Sequence, residues 1–242
     1  MYQKFKFDLH THTVASGHAY STVTENASYA EQKGLELLGI SDHAPKMPGG
    51  THFFYFLNFK AIPDYLCNIR ILKGVELNIL DINGKVDLQN NILKRLDYAI
   101  ASLHIPCIEP MELEENTQAV INTIKKPYIN IIGHLCDPRY PIDIRAVVTA
   151  ARDNNTLLEI NNSSLDPRSS RAGGDREVAE LIKECKRQGL PVILGSDAHF
   201  HMDIGNFNNI IPMLEEINMP DELIINTSTE SLFNFLSLKS RQ

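Results

Sequence analysis

The sequence predicts an α/β protein of the barrel kind, closed or nearly closed, and three observations carry that expectation. Short apolar runs rich in β-forming residues alternate with amphipathic stretches of helical period along the whole chain. No Gly-x-Gly-x-x-Gly follows the first apolar run and no Gly-x-x-x-x-Gly-Lys occurs anywhere, which argues against an open nucleotide-binding sheet. The length, 242 residues, is one at which β/α barrels commonly form a single unit, so residues 1–242 are read as one domain.

In chain order, strands are expected over residues 6–10, 37–41, 71–77, 98–103, 129–133, 157–161 and 192–196, with an eighth run at 223–226. Helices are expected over residues 24–33, 116–126, 144–154, 175–188, 206–216 and 229–238. Thr24 and Thr229 suit helix starts, because a side-chain oxygen there can accept an otherwise unpaired backbone N–H. Gly34 and Gly189 follow helix ends, where a left-handed residue turns the chain toward the next strand. Residues 46–63, with a Gly-Gly pair and a Phe/Tyr cluster, lack periodicity and read as a long loop over one face, of the kind that serves as a lid.

Charge and cysteine usage narrow the function classes. A net charge of -7 without clustered Lys and Arg offers no footprint for a phosphate backbone, so no stable nucleic-acid partner is expected. No apolar run approaches the roughly 18 residues of a membrane span. The first residues, Met1 to His12, leave no room for a secretory signal. Cys67, Cys107, Cys136 and Cys185 form no Cys-x-x-Cys pair and read as reduced thiols of a cytoplasmic protein. Cys107 and Cys136 are expected to pack inertly. The oligomeric state is left open, a homo-oligomer included.

Histidine placement carries the chemistry. His10 and His12 lie at i, i+2 after an apolar run, where extended backbone aims both the same way. Alone, such a pair would read as surface histidines. His18 follows six residues later, and His43, His104, His134 and His199 each follow a strand-like run. In a β/α barrel those positions converge on one rim, where active sites are built. Glu76 and Asp197 occupy equivalent positions, and for both a shared location with the histidines favours ligation over capping or loop initiation. Imidazole with carboxylate, and no thiolate, suits open sites for zinc, iron or manganese. Nine ligands exceed one ion and fit two or three.

The segments Asp8-Leu9-His10-Thr11-His12-Thr13, Ser41-Asp42-His43, Gly74-Val75-Glu76, Ser102-Leu103-His104, Gly133-His134 and Gly195-Ser196-Asp197-Ala198-His199 resemble those of the PHP superfamily, named for its polymerase-associated and histidinol phosphatase members. Val14 to Thr22, Asn116 to Ala119 and Glu159 to Ser164 make the chain look closest to the small YcdX-like phosphatases. The resemblance implies a distorted seven-stranded (β/α)7 barrel with a trinuclear centre of divalent ions, zinc first and manganese or iron as alternatives. It implies that His10, His12, Glu76 and Asp197 hold one ion, Glu76 as a bridge with His104 and His134 a second, and His18, His43 and His199 a third.

The function expected is metal-dependent hydrolysis of a phosphate monoester, a small anionic substrate, by a hydroxide bridging two ions. Histidinol-phosphate hydrolysis and exonuclease-type cleavage are the alternatives within that chemistry, and a non-catalytic metal-bearing interaction module the alternative from another class. Arg168 and Arg171, with Asn161, are the expected substrate contacts, since guanidinium pairs well with phosphate oxygens. Arg139 reads rather as a solvated surface residue. His52 and His201 fit no ligand position and are expected at the entrance, bonded to substrate or solvent. Asp8 and Asp42 are candidates either to orient imidazoles or to bind loop amides.

Overall fold

Strands and helices alternate along most of the described residues, except where three strands follow one another at 65–78. A computed structural model describes residues 4–239. In order these form β1 (Phe7–Asp8), α1 (Val23–Lys33), β2 (Leu37–Ile40), α2 (Phe53–Leu57), β3 (Tyr65–Leu66), β4 (Ile69–Lys73), β5 (Glu76–Asn78), α3 (Asn90–Leu93), β6 (Ile100–Ser102), α4 (Leu113–Ile124), β7 (Ile131–Ile132), α5 (Ile144–Asp153), β8 (Leu157–Asn161), α6 (Asp175–Gln188), β9 (Val192–Gly195), α7 (Ile211–Ile217) and α8 (Thr229–Lys239). All strand pairs are parallel except β3 with β4.

The strands form two sheets, β1-β2-β4-β3 and β5-β6-β7-β8-β9, rather than one closed ladder. The strand expected over residues 71–77 is interrupted at Gly74 and Val75: β4 pairs with β2, and β5 pairs with β6. Tyr98 explains the step. Its ring lies against Gly39 and Gly74, where an added methyl group would overlap it, and its hydroxyl donates to the Leu9 carbonyl at 2.6 Å. Single parallel bridges, His43 with Glu76 and Thr11 with Ala198, join the two sheets.

Residues 223–226, expected as an eighth strand, instead form turns of 3-10 helix around one bridge between Val192 and Ile224. The buried Asn226 side chain substitutes for a ladder there. Its Oδ1 accepts from the Leu194 N–H at 2.7 Å, and its Nδ2 donates to the carbonyls of Leu194 at 2.9 Å and Phe7 at 3.1 Å, tying β9 to β1.

Alternation along the strands sorts the apolar residues into two clusters. Phe7, Leu37, Leu72, Ile100, Ile131, Leu157 and Ile193, from strands of both sheets, meet Leu9 and Tyr98 in an inner cluster, closed at one end by Ile225 and Leu232. The outward-facing residues pack against the helices in a larger cluster.

Local chemistry moves several element boundaries. Thr22, not Thr24, caps α1, because Glu25 three residues on completes a reciprocal capping box. Ser228 accepts from the Ser231 N–H at 3.2 Å, so Thr229 is the first residue of α8 rather than its cap. Pro212 confines α7 to a start at Ile211, since a residue without N–H belongs in a first turn. The segment 46–63 is not a structureless loop: α2 and a 3-10 turn at Phe59–Ala61 form because Phe56 and Phe59 are drawn into the core. Glycines 34 and 189 do end α1 and α6 with left-handed backbone.

Replacing Gly74 by Ala would drive a methyl group into the Tyr98 ring, and overpacking of this kind destabilises by about 1–3 kcal/mol. Urea denaturation of Gly74→Ala is expected to show a lowered midpoint, and an unchanged midpoint would contradict the packing described.

Candidate metal centre

The parallel strands deliver the expected ligands to one end of the molecule. His10 and His12 follow β1, His43 follows β2, Glu76 opens β5, His104 and His134 follow β6 and β7, and Asp197 and His199 follow β9. His18 comes in on the turn after the 3-10 helix Val14–Ser16. The seven imidazoles form a continuous circuit. Ring centroids from His10 through His12, His199, His18, His43, His104 and His134 back to His10 are separated in turn by 5.3, 4.3, 4.7, 4.9, 5.3, 5.0 and 6.0 Å.

Glu76, with no exposed surface, stands inside that circuit. Its Oε1 lies 2.9 Å from His134 Nε2, 3.2 Å from His104 Nε2 and 3.4 Å from His10 Nε2, and accepts from the Ser102 hydroxyl at 2.7 Å. Its Oε2 lies 2.7 Å from His43 Nδ1 and 3.6 Å from His12 Nε2. Asp197 Oδ1 is 3.2 Å from His12 Nε2 and 3.5 Å from both His10 Nε2 and His199 Nδ1.

Hydrogen bonds on the far side of the rings fix the imidazole tautomers. His10 Nδ1–H donates to Glu159 Oε1 at 2.6 Å, and His104 Nδ1–H to Asn78 Oδ1 at 2.7 Å. His199 Nδ1–H donates to the Asp197 carbonyl at 2.9 Å. His12 Nδ1–H donates to Ser16 Oγ at 3.0 Å, and the Ser16 hydroxyl donates in turn to Asp42 Oδ1 at 2.7 Å. An imidazole that donates through Nδ1 presents an Nε2 lone pair. Nε2 of His10, His12 and His199 is indeed buried without a hydrogen-bond partner, as are Nδ1 of His43 and His134 and Oε2 of Glu76. Buried polar atoms are rarely left so, and the orphaned nitrogens of His10, His12 and His43 beside Glu76, with that of His199 next to them, make a donor set that a group of divalent cations would satisfy.

Electrostatics point the same way. Burial opposes ionisation of Glu76, but His104, His10 and His43 hold its carboxyl well below the ordinary range. Asp197 is likewise held down against burial by His10 and Arg171. Burial, reinforced by neighbouring imidazoles, pushes His12 well below its usual value, and burial takes His104 to about 4. Ionised carboxylates and these neutral imidazoles are the protonation states that ligate metal. His10 is the exception: burial is outweighed by Glu159, Asp197 and Glu76, which raise it.

Three overlapping sets of donor atoms lie within 4.8 Å of one another: His10, His12 and Glu76; His43, Glu76 and His104; and His12, His43 and His199. Glu76 joins the first two, as expected of a bridge. His12 and His43 each serve two sets, where the sequence resemblance put His134 with Glu76 and His104, and His18 with His43 and His199. His18 Nε2 does lie 3.3 Å from His43 Nε2, at the exposed edge of the circuit. His134 and Asp197 adopt φ of 28° and 58°, a region unfavourable for residues with a Cβ, and strain of this kind collects at functional sites.

A cavity of about 290 Å³ opens onto the circuit, lined also by the apolar residues Met47, Leu103, Ile105 and Pro106 and by Arg139 and Arg171. Arg171 pairs with Asp197 and donates to Ser164 Oγ at 3.0 Å. Arg139, read from sequence as a surface residue, lines the cavity and forks onto Asp137 at 2.6 and 2.9 Å. Arg168 points into solvent, its side chain 89% exposed and paired with Asp166. Asn161 is buried, donating to Glu159 and accepting from Ser164, and does not line the cavity.

His52 and His201 stand apart from the circuit and the cavity. His52 caps α2 through Nδ1, and His201 meets the Ser21 hydroxyl. Asp42 orients His12 through Ser16, whereas Asp8 binds the backbone N–H groups of His10, Ser196 and Gly205. Burial pushes the Cys107 thiol up to about 11 and raises Cys136 further, and neither lines the cavity. Sequence reasoning missed Glu159, Ser16, Ser102 and Asn78. An acidic residue inside the apolar run Leu157–Asn161 was a readable signal for Glu159; a serine or an asparagine at the end of a strand or in a 3-10 turn gives none.

Fold and site together define an α/β protein with a buried imidazole and carboxylate cluster at the C-terminal end of parallel strands. The chain belongs to the PHP domain family, whose pattern matches residues 8–163. A probable phosphatase from Caldanaerobacter subterraneus subsp. tengcongensis is 50% identical over 236 residues, covering 97% of this chain and 92% of that protein. Another, from Clostridium novyi, is 48% identical over 238 residues, covering 98% and 97%. The histidinol phosphate phosphatase of Lactococcus lactis, solved in complex with zinc, L-histidinol and phosphate, matches with a TM-score of 0.60 at 19% identity, over 89% of this chain and 94% of that one. At that identity the likeness is one of fold.

Elemental analysis of protein purified without chelator is expected to find the same metal content in His52→Ala and His201→Ala as in the parent, and less in His12→Ala. Loss of an ion from either of the first two variants would contradict the grouping above.

Proposed function

We propose that the protein hydrolyses a small phosphate monoester at a centre of three divalent ions, zinc foremost. The observation that carries this reading is the set of orphaned imidazole nitrogens around the bridging carboxylate Glu76. The naming of its relatives as probable phosphatases and the zinc, L-histidinol and phosphate in the Lactococcus protein support it. His10, His12, Glu76 and Asp197 would hold one ion, Glu76, His104 and His134 a second, and His18, His43 and His199 a third. A distorted seven-stranded barrel spanning residues 1–242 suits this reading, with β4 and β5 counted as one interrupted strand and β3 as an antiparallel addition.

When bound, the ions supply water activated near neutral pH and offset the charge of the phosphoryl group. The chain's own groups supply the rest. Arg139 and Arg171 line the cavity and would orient phosphoryl oxygens in pairs. Met47, Leu103, Ile105 and Pro106 add apolar surface that excludes water, and the cavity's volume suits a small leaving group rather than a polymer. Ser16, Asn78 and the Asp197 carbonyl keep His12, His104 and His199 in the tautomers that offer Nε2. Cys107 and Cys136, which follow the ligands His104 and His134 in the chain, have thiols raised by burial and do not line the cavity, so neither is suited to nucleophilic attack. Four unpaired cysteines are in keeping with a cytoplasmic setting.

A panel of phosphomonoesters that includes histidinol phosphate, together with diesters and single-stranded DNA, assayed with each metal restored, is expected to give turnover on monoesters. Hydrolysis of DNA alone would replace this reading with an exonuclease, and no hydrolysis at all would favour a non-catalytic module. In the same assay Glu76→Gln is expected to lose metal and more than about 100-fold in turnover, beyond what losing an outer partner of a ligand does. Full turnover with unchanged metal content would rule out the bridging role.

A further inference from the structure

Glu159 belongs to none of the ligand groups, yet it touches two of them. It sits at the centre of β8, a strand buried along its whole length, and is 2% exposed. Oε1 accepts from His10 Nδ1–H at 2.6 Å. Oε2 accepts from the His134 backbone N–H at 2.8 Å and from Asn161 Nδ2–H at 3.0 Å. The space is made for it: a methyl group added at Gly195 would overlap Oε1. On their inner sides His10 and His134 both turn Nε2 toward Glu76 Oε1. The His10 imidazole is thus held between one carboxylate inside the cluster and another outside it, while His134 meets Glu76 through its ring and Glu159 through its backbone.

The geometry points to Glu159 as a positioning residue that sets His10 and His134 together for metal binding, an inference that rests on the metal-centre reading above. At His10, a carboxylate opposite Nδ1 can only accept, so it keeps the proton on Nδ1 and the lone pair on Nε2, facing Glu76 and Asp197. At His134, the backbone stands at φ 28°, and the bond from its N–H to Oε2 holds that unfavourable conformation in place. One side chain therefore fixes a ring tautomer on the strand-end loop of β1 and a backbone angle on that of β7.

The role requires two acceptor oxygens, which makes it separable from mere space filling. A glutamine has the same shape but one acceptor. With its oxygen toward His134 and Asn161, its amide donates to His10 Nδ1, which moves the proton to Nε2 and removes the lone pair. With the amide reversed, two N–H donors meet a third. Either arrangement spoils one of the two ligands.

The test is competition for zinc between a chelator and the full chain, with the melting temperature of each metal-free protein measured alongside. Glu159→Gln is expected to hold zinc about 10–100-fold more weakly than the parent while remaining folded at the assay temperature. Wild-type zinc retention in that variant, with only a lowered melting temperature, would reduce Glu159 to a structural role and overturn the inference. If the Gln variant does not fold, Glu159→Asp, which withdraws both oxygens by one methylene, is expected to weaken zinc retention likewise. Wild-type retention in the Asp variant would overturn the inference. Failure of the parent itself to retain zinc would instead remove the metal-centre reading beneath it.

Discussion

A carboxylate with no exposed surface, Glu76, is the group around which the rest of the molecule is arranged. Burial alone would neutralise it, and an ionised carboxylate is retained in such a place only when charge and hydrogen bonds on every side compensate. Imidazoles and the Ser102 hydroxyl provide that compensation. The fold converges on the same residue. Its N–H donates to the Asp42 carbonyl at 3.1 Å and its carbonyl accepts from the Ala44 N–H at 2.9 Å, and these bonds join the end of one sheet to the start of the other. The candidate cation-binding centre and a seam between sheets thus share one residue.

Below the centre, the interior is apolar and closely packed. Tyr98 fills the space that Gly39 and Gly74 leave open, and Asn226 clasps β9 to β1 where no ladder runs. The two ends of the strands therefore divide the labour seen in β/α barrels, with packing and closure at one end and polar chemistry at the other. A low-dielectric floor also strengthens each interaction of the charges above it.

Outside the centre, hydrogen bonds tie the segment between β2 and β4 to the residues that orient the ligands. Tyr55 in α2 donates to Asp42 Oδ2 at 2.6 Å, and Asp42 receives the Ser16 hydroxyl that aligns His12. The Lys46 N–H donates to Asp87 Oδ2 at 2.9 Å, and Asp87 also receives Asn78, which aligns His104. The segment that reads from sequence as a covering loop is thus anchored at two points to the imidazole supports. Its position and theirs are mechanically linked.

Much of this protein was legible in its residues. The histidines that follow apolar runs, together with Glu76 and Asp197, do meet, because parallel strands joined by helices necessarily deliver their C-terminal ends to one side. Strand and helix phase followed from the alternation of apolar periods, closely for residues 157–161 and 175–188. What the sequence alone determined was therefore the order of elements, the side on which the chemistry gathers and the donor types available there. The tertiary structure decided what depends on contacts between distant segments: the break at Gly74 imposed by Tyr98, the clasp made by Asn226 where a strand was expected, the exposure of Arg168 and the approach of Arg139 to the cavity. It also decided which nitrogen each imidazole offers. A tautomer is set by the partner on the far side of the ring, and Glu159 lies 149 residues from His10, beyond the reach of any local pattern.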